Sequence, residues 1–344
     1  MMMKILETKK EFIVEEKRDF DSPHASTLIR LKNGDILAAW FGGSWEKNPD
    51  VAIWMSRRTA GGWQKPYVIA DTWGVALWNP VLFQREDGRI FLFYKEGATI
   101  PQWFTKVRIS DDEGQTWSEP RELVEGDRSG GRGPVKNKAI TLSDGTILAP
   151  ASVESEVAWD AFVDISRDGG ESWTKSPFVP LRRTDYHVID RPYDKHLCYG
   201  KGIIQPTLWE SAPGKVHMLL RSTSSAIFRS DSEDGGKTWC CAYACGLPNN
   251  NSGLDVVKLG SGELVLAYNP TGNLPGYYKG PRTPLCLALS GDNGESWKNI
   301  LTLEDAPGGY AYPAIICDNE KKELLVTYTW KRERIVFWRI KCEW

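Results

Sequence analysis

The sequence has few features of a secreted or membrane-bound protein. No apolar run approaches the roughly 18 to 20 residues that are needed to span a bilayer. The first residues, Met1–Glu7, contain neither an apolar stretch nor a small-residue cleavage site. The seven cysteines are an odd number in a chain of 344 residues, which is too large to need disulfides for its stability. We therefore expect a cytoplasmic protein without a membrane partner.

The net charge and the spacing of potential metal ligands argue against two further classes of protein, those that bind nucleic acid and those that bind a metal. The formal net charge is −2, which gives no electrostatic reason to expect nucleic acid as a partner. The cysteines Cys240, Cys241 and Cys245 lie close together in the sequence, but no second Cys or His pair follows at a spacing typical of zinc sites. We interpret them as thiols packed in a strand, and we expect neither a metal nor a cofactor.

An internal repeat is the strongest pattern that the sequence contains. The motif Ser-x-Asp-x-Gly-x-Ser/Thr-Trp occurs four times, at 110–117, 166–173, 232–239 and 290–297, and a copy at 56–63 lacks the Asp. Asp and Gly favour a tight turn in which the carboxylate accepts hydrogen bonds from local backbone amides. Each copy has too few carboxylates for a calcium loop. We therefore predict that these boxes are structural turns.

A second repeated unit precedes each box and consists of two apolar strands joined by a turn. The turns fall at Asn33-Gly34, Asp87-Gly88, Asp144-Gly145, Pro213-Gly214, Ser261-Gly262 and Asp318-Asn319. Each repeat thus predicts a four-stranded antiparallel sheet of about 50 to 60 residues, which is typical of a propeller blade. The fold expected is all-β, a six-bladed β-propeller.

Residues 1–344 are expected to form one domain, because we find no linker and no convincing amphipathic helix. The segment Glu11–Glu16 reads as a strand that precedes the first hairpin. We expect it to pair with the C-terminal strand, 334–341, and so to close the ring of blades without exposed edges.

Propeller geometry also predicts where a ligand would bind. The innermost strands begin near the mouth of the central channel, so that their first side chains line one pocket. These positions are nearly all polar: His24, Asn79, Lys136 or Lys138, Gln205, Ser252 and Tyr312. Arg221 and Arg282, with Lys95 at the corresponding place in the second repeat, are candidates for binding a carboxylate. Surface ion pairs are the alternative for each arginine.

The sequence resembles the sialidase superfamily, and the likeness covers nearly the whole chain. The repeated boxes correspond to the Asp-boxes of that superfamily, which by themselves are found in many activities. More specific motifs indicate its bacterial and plant sialidase-like branch: HAST at 24–27, WFGG at 40–43, GPVKNK at 133–138, IQPT at 204–207 and YPA at 312–314.

The resemblance implies a catalytic site with three arginines, a Tyr nucleophile assisted by a Glu, and an Asp acid/base. Arg221 and Arg282 match the second and third arginine, and Tyr312 matches the nucleophile. This chain departs from the pattern at two positions, because His24 replaces the first arginine and Gln205 replaces the assisting Glu. The acid/base maps to the loop after the first hairpin, which offers Glu46 and Asp50.

These departures leave three functions open. The first is an exo-acting glycoside hydrolase that releases an acidic sugar from small oligosaccharides, with Tyr312 acting at the anomeric centre. The second is a uronate lyase, in which His24 or Tyr312 removes the C5 proton. The third is a sugar-binding propeller without catalysis. His24 as a buried, hydrogen-bonded side chain and Tyr312 as core packing remain alternatives. The insertion 176–200 is interpreted either as a cover over the pocket or as a solvated loop.

Overall fold

The structure of the protein is a computed structural model that describes residues 3–14, 19–184 and 194–344. The first strand is β1 (Lys4–Phe12). Blade 1 follows with β2 (Ser22–Arg30), β3 (Ile36–Gly43), β4 (Ala52–Thr59), β5 (Gly62–Trp63) and β6 (Tyr67–Ala70). Blade 2 contains β7 (Leu77–Gln84), β8 (Ile90–Glu96), β9 (Phe104–Ser110) and β10 (Arg121–Glu122), and blade 3 contains β11 (Ile140–Thr141), β12 (Ile147–Glu154), β13 (Trp159–Ser166) and β14 (Thr174–Lys175).

The second half of the chain continues the same plan. A short pair, β15 (Arg182–Thr184) and β16 (Leu197–Tyr199), connects blade 3 to blade 4. Blade 4 contains β17 (Ile203–Ala212), β18 (Lys215–Ser222), β19 (Ala226–Ser232) and β20 (Tyr243–Pro248). Blade 5 contains β21 (Asp255–Lys258), β22 (Leu264–Tyr268), β23 (Leu285–Ser290) and β24 (Lys298–Glu304), and blade 6 contains β25 (Tyr310–Asp318), β26 (Glu323–Trp330) and β27 (Arg334–Glu343) together with β1.

The predicted fold is confirmed, because the chain forms six blades of antiparallel strands. Two details go beyond the prediction: β6 adds a fifth strand to blade 1, and the parallel pair β15–β16 lies outside the blades. Among the described residues the helical structure is a single 3-10 turn, Ile100–Gln102. That part of the chain accordingly has no helix with the length and apolar character to cross a membrane.

The ring is closed by the two ends of the chain. Strand β1 pairs antiparallel with β27, from Lys4 opposite Glu343 to Phe12 opposite Val336, and so becomes the outer strand of blade 6. The closure was expected, but the strand was predicted too late in the sequence, at 11–16. Most side chains of β1 are exposed and polar, as suits an outer edge, and its first half therefore lacks the apolar pattern that predicts a strand. Residues 15 and 16 lie outside the described residues.

The four complete Asp-boxes are structural turns, as predicted. In each box the Asp Oδ1 atom accepts a hydrogen bond from the backbone N–H four residues later, at 2.8–3.0 Å, and the Ser Oγ atom accepts one from the Gly N–H at 2.8–2.9 Å. The box glycines also approach the preceding blade. Gly170 of blade 3 has φ 99°, and a Cβ atom there would lie 2.9 Å from Phe91 Cζ of blade 2. Only glycine fits such a contact in this conformation.

Four innermost strands carry a β-bulge at the same place. The register shifts between His24 and Thr27 in β2, and equivalent shifts occur in β7, β17 and β25. The bulged residues have positive φ: Ala25 55°, Asn79 42°, Gln205 53° and Tyr312 55°. A bulge redirects a side chain out of the sheet pattern, and such strained backbone is often found at functional sites. His24 thus stands one residue before the position equivalent to Asn79, Gln205 and Tyr312, which corrects the sequence-based alignment of the repeats.

Candidate active site

A cavity of about 990 Å³ opens at the mouth of the propeller, and residues from all six blades line it. One wall, from blade 2, is apolar and contains Trp78 and Trp103, whose rings meet edge to face at 5.8 Å. Arginines line another part: Arg221 of blade 4, Arg282 of blade 5 and Arg332 of blade 6. A concave site with an apolar wall and a few convergent polar groups is typical of small-ligand pockets.

Tyr312 is held in the pocket by its hydroxyl group and by its ring. The hydroxyl oxygen accepts hydrogen bonds from Arg221 Nη1 at 2.9 Å and from Gln205 Nε2 at 3.1 Å. Its ring stacks on His24 with 4.3 Å between the centroids. The two tyrosines that competed with it in the sequence, Tyr310 and Tyr328, pack in a hydrophobic core between blades 5 and 6 instead.

Arg221 is fixed by three neighbours. Its Nε atom donates to Asn251 Oδ1 at 2.7 Å, and its Nη1 atom donates to Gln205 Oε1 at 3.1 Å as well as to the Tyr312 hydroxyl. The guanidinium group lies 5.4 Å from the ring of Trp159. Its Nη2 atom has no hydrogen-bond partner in the described part of the chain. This side of the guanidinium group is therefore available to a ligand.

Arg282 has an unusual environment for an arginine. Within the described ranges its side chain forms no hydrogen bond and no ion pair, and its nearest aromatic ring is Tyr312, at 5.8 Å. Burial, reinforced by the positive charges of Arg221 and Arg332, lowers its pKa to about 10. Arg282 is partly buried, and a cation that is withdrawn from water without an anionic partner costs free energy. An anionic ligand between these guanidinium groups would remove that cost.

Arg332 was not predicted as a site residue. It lies in the turn between β26 and β27, has φ 62°, and donates from Nη2 to the carboxylate of Glu46 in blade 1. Its Nη1 atom is buried without a hydrogen-bond partner. The surrounding sequence, Lys331 to Arg334, has the composition of a solvated turn, and no local signal distinguishes Arg332. Only the closure of the ring brings blade 6 beside blade 1.

His24 is buried beside the arginines, with only 3% of its surface exposed. Its Nδ1 atom is 2.8 Å from the Thr329 hydroxyl. Burial, together with the nearby charges of Arg332, Arg282 and Arg221, moves the pKa of His24 well below its ordinary value. The imidazole is therefore neutral near pH 7.

The two predicted carboxylates are separated by the structure. Glu46 lines the pocket and pairs with Arg332. Asp50 is exposed and does not line the pocket, and its two carboxylate oxygens accept hydrogen bonds from the Ser44 N–H at 2.8 Å and from Ser44 Oγ at 3.0 Å. The acid/base role suggested for Asp50 therefore has no support from its position.

Glu154 is a pocket carboxylate that the sequence interpretation missed. It ends β12 in blade 3 and lines the cavity, and its carboxylate forms no hydrogen bond with the described residues. Burial is the main cause that raises its pKa, and the positive charge of Arg221 opposes the shift. In blade 3 the position that corresponds to Lys95 and Arg221 is Ser152, two residues earlier. The repeat pattern therefore does not mark Glu154.

Lys136 and Lys138 hold blades together and do not line the pocket. Lys136 Nζ donates to the backbone oxygens of Leu254 at 2.7 Å and Pro313 at 2.5 Å, and burial lowers its pKa to about 7. Lys138 forms an ion pair with Asp255 at 2.9 Å. Because their donors are satisfied by blades 5 and 6, the ligand-binding role predicted for these lysines is replaced by a structural one.

Of the two residues predicted in blade 2, Lys95 lies outside the pocket and Asn79 lines it. Lys95 is completely buried outside the pocket, and its Nζ atom donates to Thr105 Oγ1 at 2.7 Å and to the Arg132 oxygen at 2.6 Å. Asn79 lines the pocket. Its amide has no hydrogen-bond partner among the described residues, and so it can bind a ligand. Of the positions predicted from the sequence, the pocket therefore contains His24, Glu46, Asn79, Gln205, Arg221, Arg282 and Tyr312.

Two further predictions concern metal binding and the long insertion. Across residues 3–14, 19–184 and 194–344, no three His, Cys, Asp or Glu side chains lie together in a group that could hold a metal ion. Of the insertion 176–200, residues 185–193 lie outside the described residues, and its flanks form the pair β15–β16.

The fold and the site define a β-propeller with an arginine-lined cavity at its mouth. Residues 34–323 match the family model of the BNR repeat-like domain. The chain belongs to this family, and with it to the sialidase superfamily that the sequence motifs indicated.

Two curated relatives are sialidases. One, from Bacteroides fragilis, is 24% identical over 202 residues, which are 47% of this chain and 36% of the relative. The other, from Clostridium perfringens, is 29% identical over 100 residues, which are 25% of this chain and 26% of the relative. The match thus spans about a third or less of the length of either relative.

Solved structures share the fold at low identity. A protein of unknown function from Dyadobacter fermentans has a TM-score of 0.75 and 17% identity, with 99% of both chains covered. Trypanosoma rangeli sialidase in complex with the inhibitor DANA has a TM-score of 0.69 and 15% identity, covering 94% of this chain and 55% of that one. The NanB sialidase of Streptococcus pneumoniae has a TM-score of 0.71 and 13% identity, covering 96% and 70%. These similarities show the fold alone.

Proposed function

We propose that this protein is a carbohydrate-active enzyme of the sialidase-like type, an exo-acting glycoside hydrolase that releases an acidic sugar from an oligosaccharide. The observation that carries the proposal is the unpartnered guanidinium of Arg282, which lies in the pocket near Tyr312 and Arg221. A planar carboxylate matches the fork of donors on an arginine. The sugar carboxylate would bind Arg282 and the free Nη2 atom of Arg221.

Tyr312 is the proposed nucleophile at the anomeric carbon. Sialidases are the known exception among glycosidases in using a tyrosine for this step. Gln205 cannot accept a proton as a carboxylate would, but both Gln205 Nε2 and Arg221 Nη1 donate to the Tyr312 oxygen. Hydrogen bonds and positive charge directed at an oxygen stabilise negative charge that develops on it. In this proposal Arg221 and Gln205 stabilise the tyrosinate, and the hydroxyl proton of Tyr312 passes to water in the open pocket.

Glu154 is the proposed proton donor to the leaving oxygen. Its partly buried carboxyl has a raised pKa, so that it keeps its proton to higher pH than an ordinary glutamate, as a general acid must. Glu46 is the second candidate, but its carboxylate is engaged by Arg332.

Replacing Glu154 by Gln is expected to lower kcat by about 10²–10⁴-fold, the usual contribution of a positioned general acid. Activity that depends on a protonated acid falls as pH rises through its pKa, and the variant should therefore also lose the alkaline limb of its kcat–pH profile. Glu156→Gln, at an exposed position two residues away, is the control and should leave the profile unchanged. An intact alkaline limb in Glu154→Gln, together with its loss in Glu46→Gln, would assign the acid to Glu46.

A uronate lyase is the second candidate function. It is favoured by the neutral imidazole of His24, which stacks on Tyr312 at 4.3 Å, because a neutral imidazole can accept a proton. The uronate carboxylate would bind the same arginines, one of the pair His24 and Tyr312 would remove the C5 proton, and the other would protonate the leaving oxygen.

One assay separates the two reactions. The purified protein is incubated with sialosides, other 2-keto sugar acids and uronides, and the products are measured by mass spectrometry. The hydrolase is expected to give two products whose masses sum to the substrate plus one water. Products that sum to the substrate mass, one of them an unsaturated uronate, would establish the lyase instead. Binding without turnover across the whole panel would contradict both reactions and indicate a sugar-binding propeller.

A further inference from the structure

A second cavity lies beside the main pocket and shares a wall with it. It has a volume of about 350 Å³, which is at the lower end of the roughly 300–1,000 Å³ of ligand pockets. His24, Arg282 and Arg332 line both cavities. A ligand whose carboxylate binds Arg282 in the main pocket is therefore next to the second cavity.

The charge around this second cavity is entirely positive. Arg282, Lys331 and Arg332 line it, and none of its other lining residues carries a carboxylate. Lys331 lies 4.5 Å from the ring of Trp330 and has no ion pair among the described residues. Arg332 pairs with Glu46 through Nη2, whereas its Nη1 atom is buried without a partner. Buried donors are normally satisfied, and this one indicates a site that lacks its acceptor.

The backbone keeps the second cavity open. Part of its lining is the segment Pro307, Gly308 and Gly309, which presents almost no side chain. The Lys331 N–H donates to the Gly309 oxygen at 2.7 Å, and this bond joins the segment to the turn that carries Arg332. A Cβ atom added at Gly309 would meet no atom within 4 Å, and the φ of Gly309 is outside the left-handed region. A larger residue therefore has room at Gly309, which is part of the lining of the cavity.

We infer that the second cavity is a subsite for a second anionic group of the substrate. The substrate class is then an oligosaccharide that carries a carboxylate on its terminal unit and a further carboxylate, sulfate or phosphate on the adjoining unit. This inference rests on the proposed function, because the first carboxylate must occupy Arg282.

The test compares two substitutions of equal size. Gly309→Asp adds a carboxylate to the lining of the second cavity, and Gly309→Asn adds a neutral amide of the same shape. Isothermal titration calorimetry then measures the affinity for two probes: a disaccharide of two uronate units, and a disaccharide in which a terminal uronate is linked to a neutral sugar. Thermal unfolding checks that both variants are folded.

The wild-type protein is expected to bind the dianionic disaccharide at least tenfold more tightly than the monoanionic one. Gly309→Asp should lose this preference, and its affinity for the monoanionic probe should change much less than its affinity for the dianionic probe. Gly309→Asn should keep the preference for the dianionic probe. Equal affinity of the wild-type protein for both probes, or equal effects of Asp and Asn, would overturn the subsite and leave the proposed function standing. If the wild-type protein binds neither probe, uronate binding at Arg282 fails, and the inference fails with it.

Discussion

Replacing Tyr312 by Phe is expected to abolish nearly all turnover while substrate binding is largely kept. The substitution removes one oxygen atom and retains the ring that stacks on His24. Loss of a nucleophile reduces kcat by up to about 10⁶-fold in a well-studied hydrolase, and we expect a fall of at least roughly 10³-fold here. Arg221 Nη1 and Gln205 Nε2 lose their shared acceptor, which costs about 1–3 kcal/mol of folding stability if no water replaces it. Single-turnover kinetics with a substrate from the product assay measures the effect.

Tyr310→Phe is the matched control for this experiment. Tyr310 is on the same strand, two residues earlier, and packs in the core between blades 5 and 6. It should change kcat by less than about twofold, because surface or core changes away from the reacting atoms leave the chemical step intact. A Tyr312→Phe variant with a kcat near that of the wild type would contradict the assignment of Tyr312 in both the hydrolase and the lyase.

Among substitutions in the pocket, Arg282→Ala is expected to cause the largest loss of affinity for an acidic sugar. Truncating one partner of a buried, hydrogen-bonded charge pair costs about 2–5 kcal/mol, which is a roughly 30-fold or greater increase in Kd for an acidic sugar. The ligand-free variant should unfold at a higher temperature than the wild type, because it no longer holds a partly buried cation beside Arg221 and Arg332. Lower affinity combined with higher stability is the result that distinguishes a ligand-binding arginine from a structural one.

Two variants complete the Arg282 experiment. Arg282→Lys keeps the charge but loses the fork of donors, so its affinity should fall between those of the wild type and Arg282→Ala. Arg121→Ala, on an exposed edge strand where Arg121 Nη2 lies 3.7 Å from Glu171 Oε2, should change neither affinity nor stability by a measurable amount. If Arg282→Ala destabilises the ligand-free protein and leaves the affinity unchanged, Arg282 is structural and the proposed carboxylate site is wrong.

The departures from the superfamily pattern have a structural counterpart in this pocket. His24 stands where the first arginine is expected, and Arg332 of blade 6 contributes a third guanidinium group to the pocket. Gln205 stands where the assisting Glu is expected and donates to Tyr312 together with Arg221. The pocket therefore contains three arginines and a tyrosine, with a histidine and a glutamine at two positions where the superfamily pattern has an arginine and a glutamate.

The fold was predictable from the sequence because its signals are local. Each Asp-box is closed by hydrogen bonds within eight residues, as in the contact from Asp112 to the Thr116 N–H, and each hairpin is marked by its own turn residues. Repetition of these short-range patterns determines the six blades. The positions of Tyr312, Arg221 and Arg282 in one pocket also follow, because equivalent strand ends of a propeller meet at the mouth.

Contacts between blades that are distant in the sequence were decided only by the tertiary structure. Lys136 and Lys138 are polar residues at the start of an inner strand, but their donors are satisfied by blades 5 and 6, and no local pattern shows that. Arg332 and Glu46 are 286 residues apart and meet because β1 closes the ring. The raised pKa of Glu154 and the lowered pKa of His24 result from burial and from charges on other blades. The sequence by itself therefore determined the architecture and most of the candidate residues, and the assembled ring determined which residues line the pocket and in which direction their pKa values are shifted.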